Sequence, residues 1–238
     1  MAFRPRRAER AKKTLATSHG LCHKHCEFTG YQGQSPWLVV TKDQRPETGD
    51  NALVDIVVKL GGGLLAHAAR FDAALAAIGG AADERRLLIV PGGGPFADTV
   101  RRVDRQFALS DDAAHWMAVL AMDQFAHLIT SRLDGGALVV DPGEIAAALG
   151  AGRLPVLAPS RWLHDADPLP HTWDVTSDSI AAWAAGAVGA RCLVLVKPPG
   201  AAASESVDGY FHRALPAHVA SVIVPADQMD ALRAALRA

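Results

Sequence analysis

Asp55-Ile-Val-Val-Lys-Leu-Gly-Gly-Gly-Leu-Leu65 is the stretch that decides the fold. A short apolar run, rich in β-branched residues, is broken by one lysine and stopped by three glycines, after which apolar residues recur at helical spacing. This is a buried strand that turns directly into a helix. The strand delivers Lys59 to the end of a sheet. Gly61, Gly62 and Gly63 allow backbone amides to approach a ligand, and the positive end of the following helix attracts anions. Together these parts can hold a phosphate chain.

The same device recurs downstream. Leu87-Leu-Ile-Val90 reads as a second strand and runs into Pro91-Gly-Gly-Gly-Pro95. Phe96, Val100, Val103 and Phe107 then mark one helix face, and Asp111 to about Arg132 a longer helix with acidic residues at its start. Strands follow at Ala137–Val140, Pro155–Ala158, Cys192–Val196 and Val219–Val224. Helices are expected over Gly143–Leu149, Thr176–Ala187 and Asp227–Leu236, and Pro159 to Trp173 reads as a long loop. Alternation at this spacing predicts a mainly parallel sheet between two helical layers, with ligands at the carboxyl ends of the strands. Both glycine triplets fall there.

Upstream the pattern is absent. Residues 1–45 carry nine Lys/Arg against three Asp/Glu, so +6 of a total of −1, leaving −7 for the rest. Residues 1–50 are expected to be a poorly ordered basic extension, and residues 51–238 one domain. Cys22, His23, His25 and Cys26 are potential zinc ligands, but so short a segment wraps a tetrahedron poorly. Trp37-Leu-Val-Val40 reads equally as an edge strand or a docked apolar patch.

Composition narrows the function. Half of the 238 residues are hydrophobic, enough for a domain burying roughly 70% of its unfolded surface. A near-neutral charge argues against nucleic acid as the main partner. Three cysteines are too few for a disulfide framework, so a reducing, cytoplasmic setting is expected. No apolar run approaches the ~20 residues of a membrane span. Neither G-x-x-x-x-G-K-[ST] nor G-x-G-x-x-G occurs, which counts against a P-loop kinase and a dinucleotide-dependent dehydrogenase.

Val57-Val-Lys-Leu-Gly-Gly-Gly63, Val90-Pro-Gly-Gly-Gly-Pro95, Asp174-Val-Thr-Ser-Asp-Ser-Ile-Ala-Ala182 and the strand ending at Lys197 resemble the amino acid kinase family. The resemblance implies an α/β fold, a three-layer αβα sandwich, with ATP and Mg²⁺ as cofactors and a small phosphate or carboxylate as acceptor. It also implies a homo-oligomer, a dimer or a ring of dimers. By the same resemblance Lys59 meets the transferring phosphoryl group, and Gly61, Gly62 and Gly63 donate to the donor phosphates. Gly92, Gly93 and Gly94 cradle the acceptor. Asp178 orients the lysine or binds the metal, and Asp174 lies near the nucleotide.

Two departures stand out. Gly63 replaces the family's usual serine, and Lys197-Pro198-Pro199 replaces its Thr-Asp. Lys197 either supplies a second charge to the donor phosphates or is solvated. The helix His115–Gln124, the segment Leu169–Asp178 and the strand ending at Lys197 resemble the uridylate-kinase-like branch serving methanofuran biosynthesis. Its acceptor is an aminomethyl-furan methyl phosphate and its product the diphosphate. In that reading Trp173 and Trp116 stack on the ring, Asp123 or Asp174 pairs with the amine, and His171 touches a phosphate. Taken singly, Trp116, Met117, Leu120 and Met122 read more readily as core, and His171 as a loop histidine. The alternatives are a uridylate, acetylglutamate or isopentenyl phosphate kinase, or a non-catalytic nucleotide- or oxyanion-binding protein on the same scaffold.

Overall fold

The structure, a computed structural model, describes residues 52–201 and 207–238. The basic extension, the Cys22–Cys26 cluster and Trp37–Val40 lie outside them. Among the described residues six strands form one sheet: β1 (Ile56–Leu60), β2 (Leu87–Pro91), β3 (Gly136–Val139), β4 (Leu154–Leu157), β5 (Cys192–Lys197) and β6 (Ala220–Pro225). Their order is β3-β4-β2-β1-β5-β6, and every pairing is parallel. The two strands that carry Lys59 and Lys197 are therefore neighbours, with Lys59 opposite Leu195 and Leu60 opposite Val196.

Strand alternation divides the core. Val57, Leu88, Val90, Leu193 and Leu195 face one layer, and Ile56, Val58, Leu60, Ile89, Val194 and Val196 face the other. The second layer is closed by α1 (Ala68–Ala81) and α8 (Met229–Ala235) through Phe71, Leu75, Ile78 and Leu232. The first is closed by α4 (Pro142–Gly150), α6 (Ser177–Ala187) and α7 (Phe211–Ala214). Helix α3 (Asp111–Arg132) contributes to both, Val119 and Met122 to one and Phe125 and Ile129 to the other. It lies against α2 (Gly94–Phe107). Lys59 and Lys197 share a side-chain parity, because Lys197 lies two residues beyond Leu195, the partner of Lys59. Both therefore turn toward the layer that contains α6.

Three elements differ from the expectation. The first glycine turn continues as a 3₁₀ turn, Gly62–Ala66, and α1 starts only after His67, whose φ of −132° is not helical. The stretch Pro159–Trp173 is not all loop, since it contains α5 (Ser160–Ala166), held by buried Leu163 and by the Trp162–Trp183 contact. The short α7 packs on α6 through Phe211. Pieces of seven and four residues are too short to show a 3.6-residue period in sequence.

Candidate functional site

Lys59, Asp178 and Lys197 meet at the carboxyl ends of β1 and β5. The Lys59 Nζ lies 2.6 Å from Asp178 Oδ1, and the Lys197 Nζ donates to Asp178 Oδ2 at 2.6 Å. The Lys59 contact is ionic and poorly directed, so Oδ1 has the charge of a partner without a well-aligned hydrogen bond. All three residues are nearly sealed, at 4%, 4% and 8% exposure. Burial alone would raise the Asp178 pKa, but the two ammonium groups more than offset it and hold the carboxyl below its ordinary range. Burial and the neighbouring Lys59 charge lower the Lys197 pKa, against the pull of Asp178. Two cations on one anion leave one net positive charge, which is what a phosphate chain requires.

Asp178 reaches this point because α6 begins one residue earlier, and the start of α6 is fixed from a distance. Asp208 Oδ2 accepts from Thr176 N at 2.9 Å, Thr176 Oγ1 at 2.7 Å and Ser179 N at 3.0 Å. Its Oδ1 accepts from Tyr210 N at 3.2 Å and from the Ser179 hydroxyl. Thr176, the local N-cap, makes no side-chain cap of its own. Asp208 thus caps α6 from across the chain, satisfying amides that a helix start leaves open.

The two glycine turns are built against each other. Gly92 N donates to Leu60 O at 2.8 Å, and Gly61 N to Val196 O at 2.8 Å. A Cβ on Gly62 would run into the Gly94 backbone, and Gly94 itself has φ +55°. Glycine is therefore required by the contact between turns, in addition to any ligand. The amide of Gly92 is consumed in that contact, and that of Gly61 in a bond to β5. Those of Gly62, Gly63, Gly93 and Gly94 have no backbone acceptor among the described residues, and all four residues line one cavity.

That cavity, about 340 Å³, is bounded by the two turns, by Ala97, Asp98 and Arg101 of α2, by the N-terminal half of α3, and by Thr172, Trp173 and Val175–Ser177; Asp174 is not on its wall. Lys59, Asp178 and Lys197 are not on its wall; Thr176 and Ser177, beside Asp178, are. Trp173 forms part of the wall, its Nε1 donating to Asp104 Oδ2 at 2.8 Å and its ring 5.1 Å from the Arg101 guanidinium carbon. Arg101 also pairs with Asp98 at 2.9 Å.

Other residues singled out in the sequence lie elsewhere. Asp123 is half-buried, accepts from Ser160 N at 3.1 Å and caps α5; it does not line the cavity. Burial raises its pKa against that hydrogen bond. Asp174 is exposed and meets Tyr210 N through its backbone oxygen. Trp116 packs on His115, His164 and His171. His171 is held by Asp112 at 2.6 Å and Asp167 at 2.9 Å. Asp208, His115, Asp98 and Asp111 belong to the site or its support, and sequence reasoning gave them no role. Only the pattern Asp111, His115, Ala118, Met122, one helical face, signals any of them.

The two departures at the first turn prove to be one. A Cβ on Gly63 would approach Pro198 Cγ to 2.7 Å. The proline after Lys197 occupies the space a serine at position 63 would need.

A nucleotide's phosphates fit this arrangement, since it offers free amides beside a buried positive charge. A protein-held Mg²⁺ fits it poorly. Both Asp178 oxygens already face ammonium groups, and no cluster of three or more His, Cys, Asp or Glu suited to a metal occurs among the described residues. Of the two roles expected for Asp178, orienting lysines suits the geometry and ligating a metal does not. No helix among the described residues is long and apolar enough to cross a membrane.

Comparison with known proteins agrees with the geometry. The model of the amino acid kinase family matches residues 56–198. The chain is 30% identical over 128 residues to the [5-(aminomethyl)furan-3-yl]methyl phosphate kinase of Methanocaldococcus jannaschii, covering 52% of this chain. It spans 57% of the length of that relative. Among solved structures it is similar to the uridylate kinase of Archaeoglobus fulgidus, with a TM-score of 0.54, 16% identity, and coverage of 75% and 95% of the two chains. The UMP kinase of Bacillus anthracis gives 0.53, 13%, 75% and 90%. These structural likenesses concern the fold.

Proposed function

The chain belongs to the amino acid kinase family, and we propose that it transfers the terminal phosphoryl group of ATP to a small phosphate-bearing metabolite held in the cavity between α2 and α3. The observation that carries this reading is the Lys59–Asp178–Lys197 centre beside two facing turns with free amides.

Lys59 and Lys197 neutralise the charge that spreads over the equatorial oxygens, while the amides of Gly62 and Gly63 hold the donor phosphates. Asp178 keeps the two ammonium groups aimed, so little reorganisation is left for the moment of transfer. The amides of Gly93 and Gly94 hold the acceptor phosphate in line. An oxygen of that phosphate forms the new bond to phosphorus as the bond to the bridging oxygen of ADP breaks. The acceptor oxygen is already anionic, so no general base is needed.

For the acceptor we propose [5-(aminomethyl)furan-3-yl]methyl phosphate, converted to its diphosphate, a step in methanofuran biosynthesis. The sequence likeness to the enzyme of that name supports it, as does the flat indole of Trp173 on the cavity wall. UMP is the competing acceptor suggested by the structural neighbours. Assay with ATP and each phosphate decides between them, and turnover of UMP alone rejects the furan. Lys59→Ala should lower kcat by about 10²-fold or more. A rate within about threefold of the parent, under 1 kcal/mol in barrier, would reject the mechanism.

A further inference from the structure

The cavity has a polar end that phosphate binding leaves unexplained. Along α3 its wall is one stripe at helical spacing: Asp111 and His115 in the first turns, then Ala118, Val119 and Met122. His115 is 9% exposed and lies on the cavity wall. It has no hydrogen-bonding partner among the described residues, and its ring nitrogens are not sealed from solvent. Its ring is nonetheless fixed. It stacks on His171 at 4.1 Å and 16°, and meets the edge of Trp116 at 4.9 Å and 84°. His171 is itself clamped between Asp112 and Asp167.

A rigid imidazole on a cavity wall, with unmatched nitrogens, is suited to a ligand's polar group. The surroundings define which group. Asp111, one turn before His115 on the same face, has no ionic partner among the described residues, and Asp98 lines the cavity from α2. Arg101, the cation on this wall, is already paired with Asp98 and lies over Trp173. An anionic group at this end would meet two carboxylates and one engaged guanidinium, whereas a cationic one meets a free carboxylate.

We propose that His115 and Asp111 form a subsite for a protonated primary amine on the acceptor, His115 accepting one N–H and Asp111 supplying the counter-charge. Burial and the neighbouring His171 lower the pKa of His115 to about 4, so near neutral pH the ring is uncharged and keeps a lone pair for that bond. The inference rests on the cavity being the acceptor site, and it deepens that reading. It places the amine contact at Asp111 and His115, and not at Asp123 or Asp174.

The test uses matched phosphates with and without the amine: [5-(aminomethyl)furan-3-yl]methyl phosphate against its methylfuran counterpart, and O-phosphoethanolamine against ethyl phosphate. Binding is measured by calorimetry in the presence of a non-hydrolysable ATP analogue. The parent protein should favour the amine-bearing member of each pair by about tenfold. His115→Phe, which keeps the stacking, and Asp111→Asn should each remove most of that preference by weakening the amine-bearing member far more than its amine-free counterpart, with affinity for the ATP analogue unchanged. Equal binding of both members by the parent, or equal weakening of both by the variants, overturns the subsite and leaves the kinase reading standing. An intact amine preference without phosphoryl transfer to the furan overturns the acceptor assignment and supports the subsite.

Discussion

Asp208 illustrates what a residue can do from outside any motif. It sits 29 to 32 residues from the amides it caps, and nothing in the local pattern of either segment links them. Asp208→Ala should therefore cost about 1–2 kcal/mol of stability through the lost cap. It should also lower kcat by about tenfold, because Asp178 lies in the turn that the cap positions. Asp208→Asn, which can still accept, should recover most of both in a denaturant titration and a steady-state assay; equal loss from Ala and Asn would remove the capping role. His171 and His115 shift in opposite senses. Hydrogen bonds to Asp112 raise the His171 pKa above 6.5, against burial and with help from Asp167. Its contribution to stability is complete below 6.5 and is lost as pH rises through the higher folded value. His115, lowered to about 4, contributes fully above 6.5 and loses that contribution as pH falls from 6.5 toward 4. Melting temperature should fall on both sides of neutrality; His171→Gln should flatten the alkaline limb and, by removing the charge beside His115, weaken part of the acid one, whereas His115→Phe should flatten the acid limb.

At the scale of elements, the strand–glycine–helix units were legible because two signals coincide there, an apolar run and an abrupt glycine stop. Their partnership was less so. The sequence marks Gly63 and Lys197-Pro198 as separate departures from the family pattern, and only the fold brings Pro198 against Gly63. The site was legible to the same degree. Lys59, Asp178 and Lys197 were each identifiable from their place at a strand end or helix start, but the support of Asp178 by Asp208 and the lining role of His115 depend on tertiary approach. Asp123 gave a misleading signal, since a carboxylate in mid-helix looks available in sequence while it caps α5 in the fold. The Gly63–Pro198 contact makes a quantitative prediction. Gly63→Ser should be destabilising and should slow turnover, while Pro198→Ala alone should be mild. The double variant should recover much of the loss, with a coupling energy of about 1–3 kcal/mol. Additive effects in denaturant titration would mean that the two departures are independent.

At the scale of the whole molecule, the parallel sheet separates two apolar layers, and α3 is the element that belongs to both. Its Val119 and Met122 pack in the layer toward which Lys59 and Lys197 turn, and its Phe125, Ala126 and Ile129 in the other. That continuity should make the layers unfold together, although a domain of this length need not be two-state. Trp116, Trp162 and Trp183 all pack against the first layer, and Trp173 lies on the cavity. In a Trp37→Phe background, fluorescence therefore reports that side of the sheet, while far-ultraviolet circular dichroism reports the helices of both. Phe125 is fully buried in the second layer, where it meets Phe71 at 5.8 Å. Phe125→Ala leaves a cavity there and should cost about 3–5 kcal/mol. If α3 couples the layers, the fluorescence and dichroism midpoints should move down together, even though no tryptophan touches the altered core. A shift in dichroism with the fluorescence midpoint unmoved would show that the first layer is stable without the other. The position of Lys59, Asp178 and Lys197 would then depend on one half of the sandwich alone.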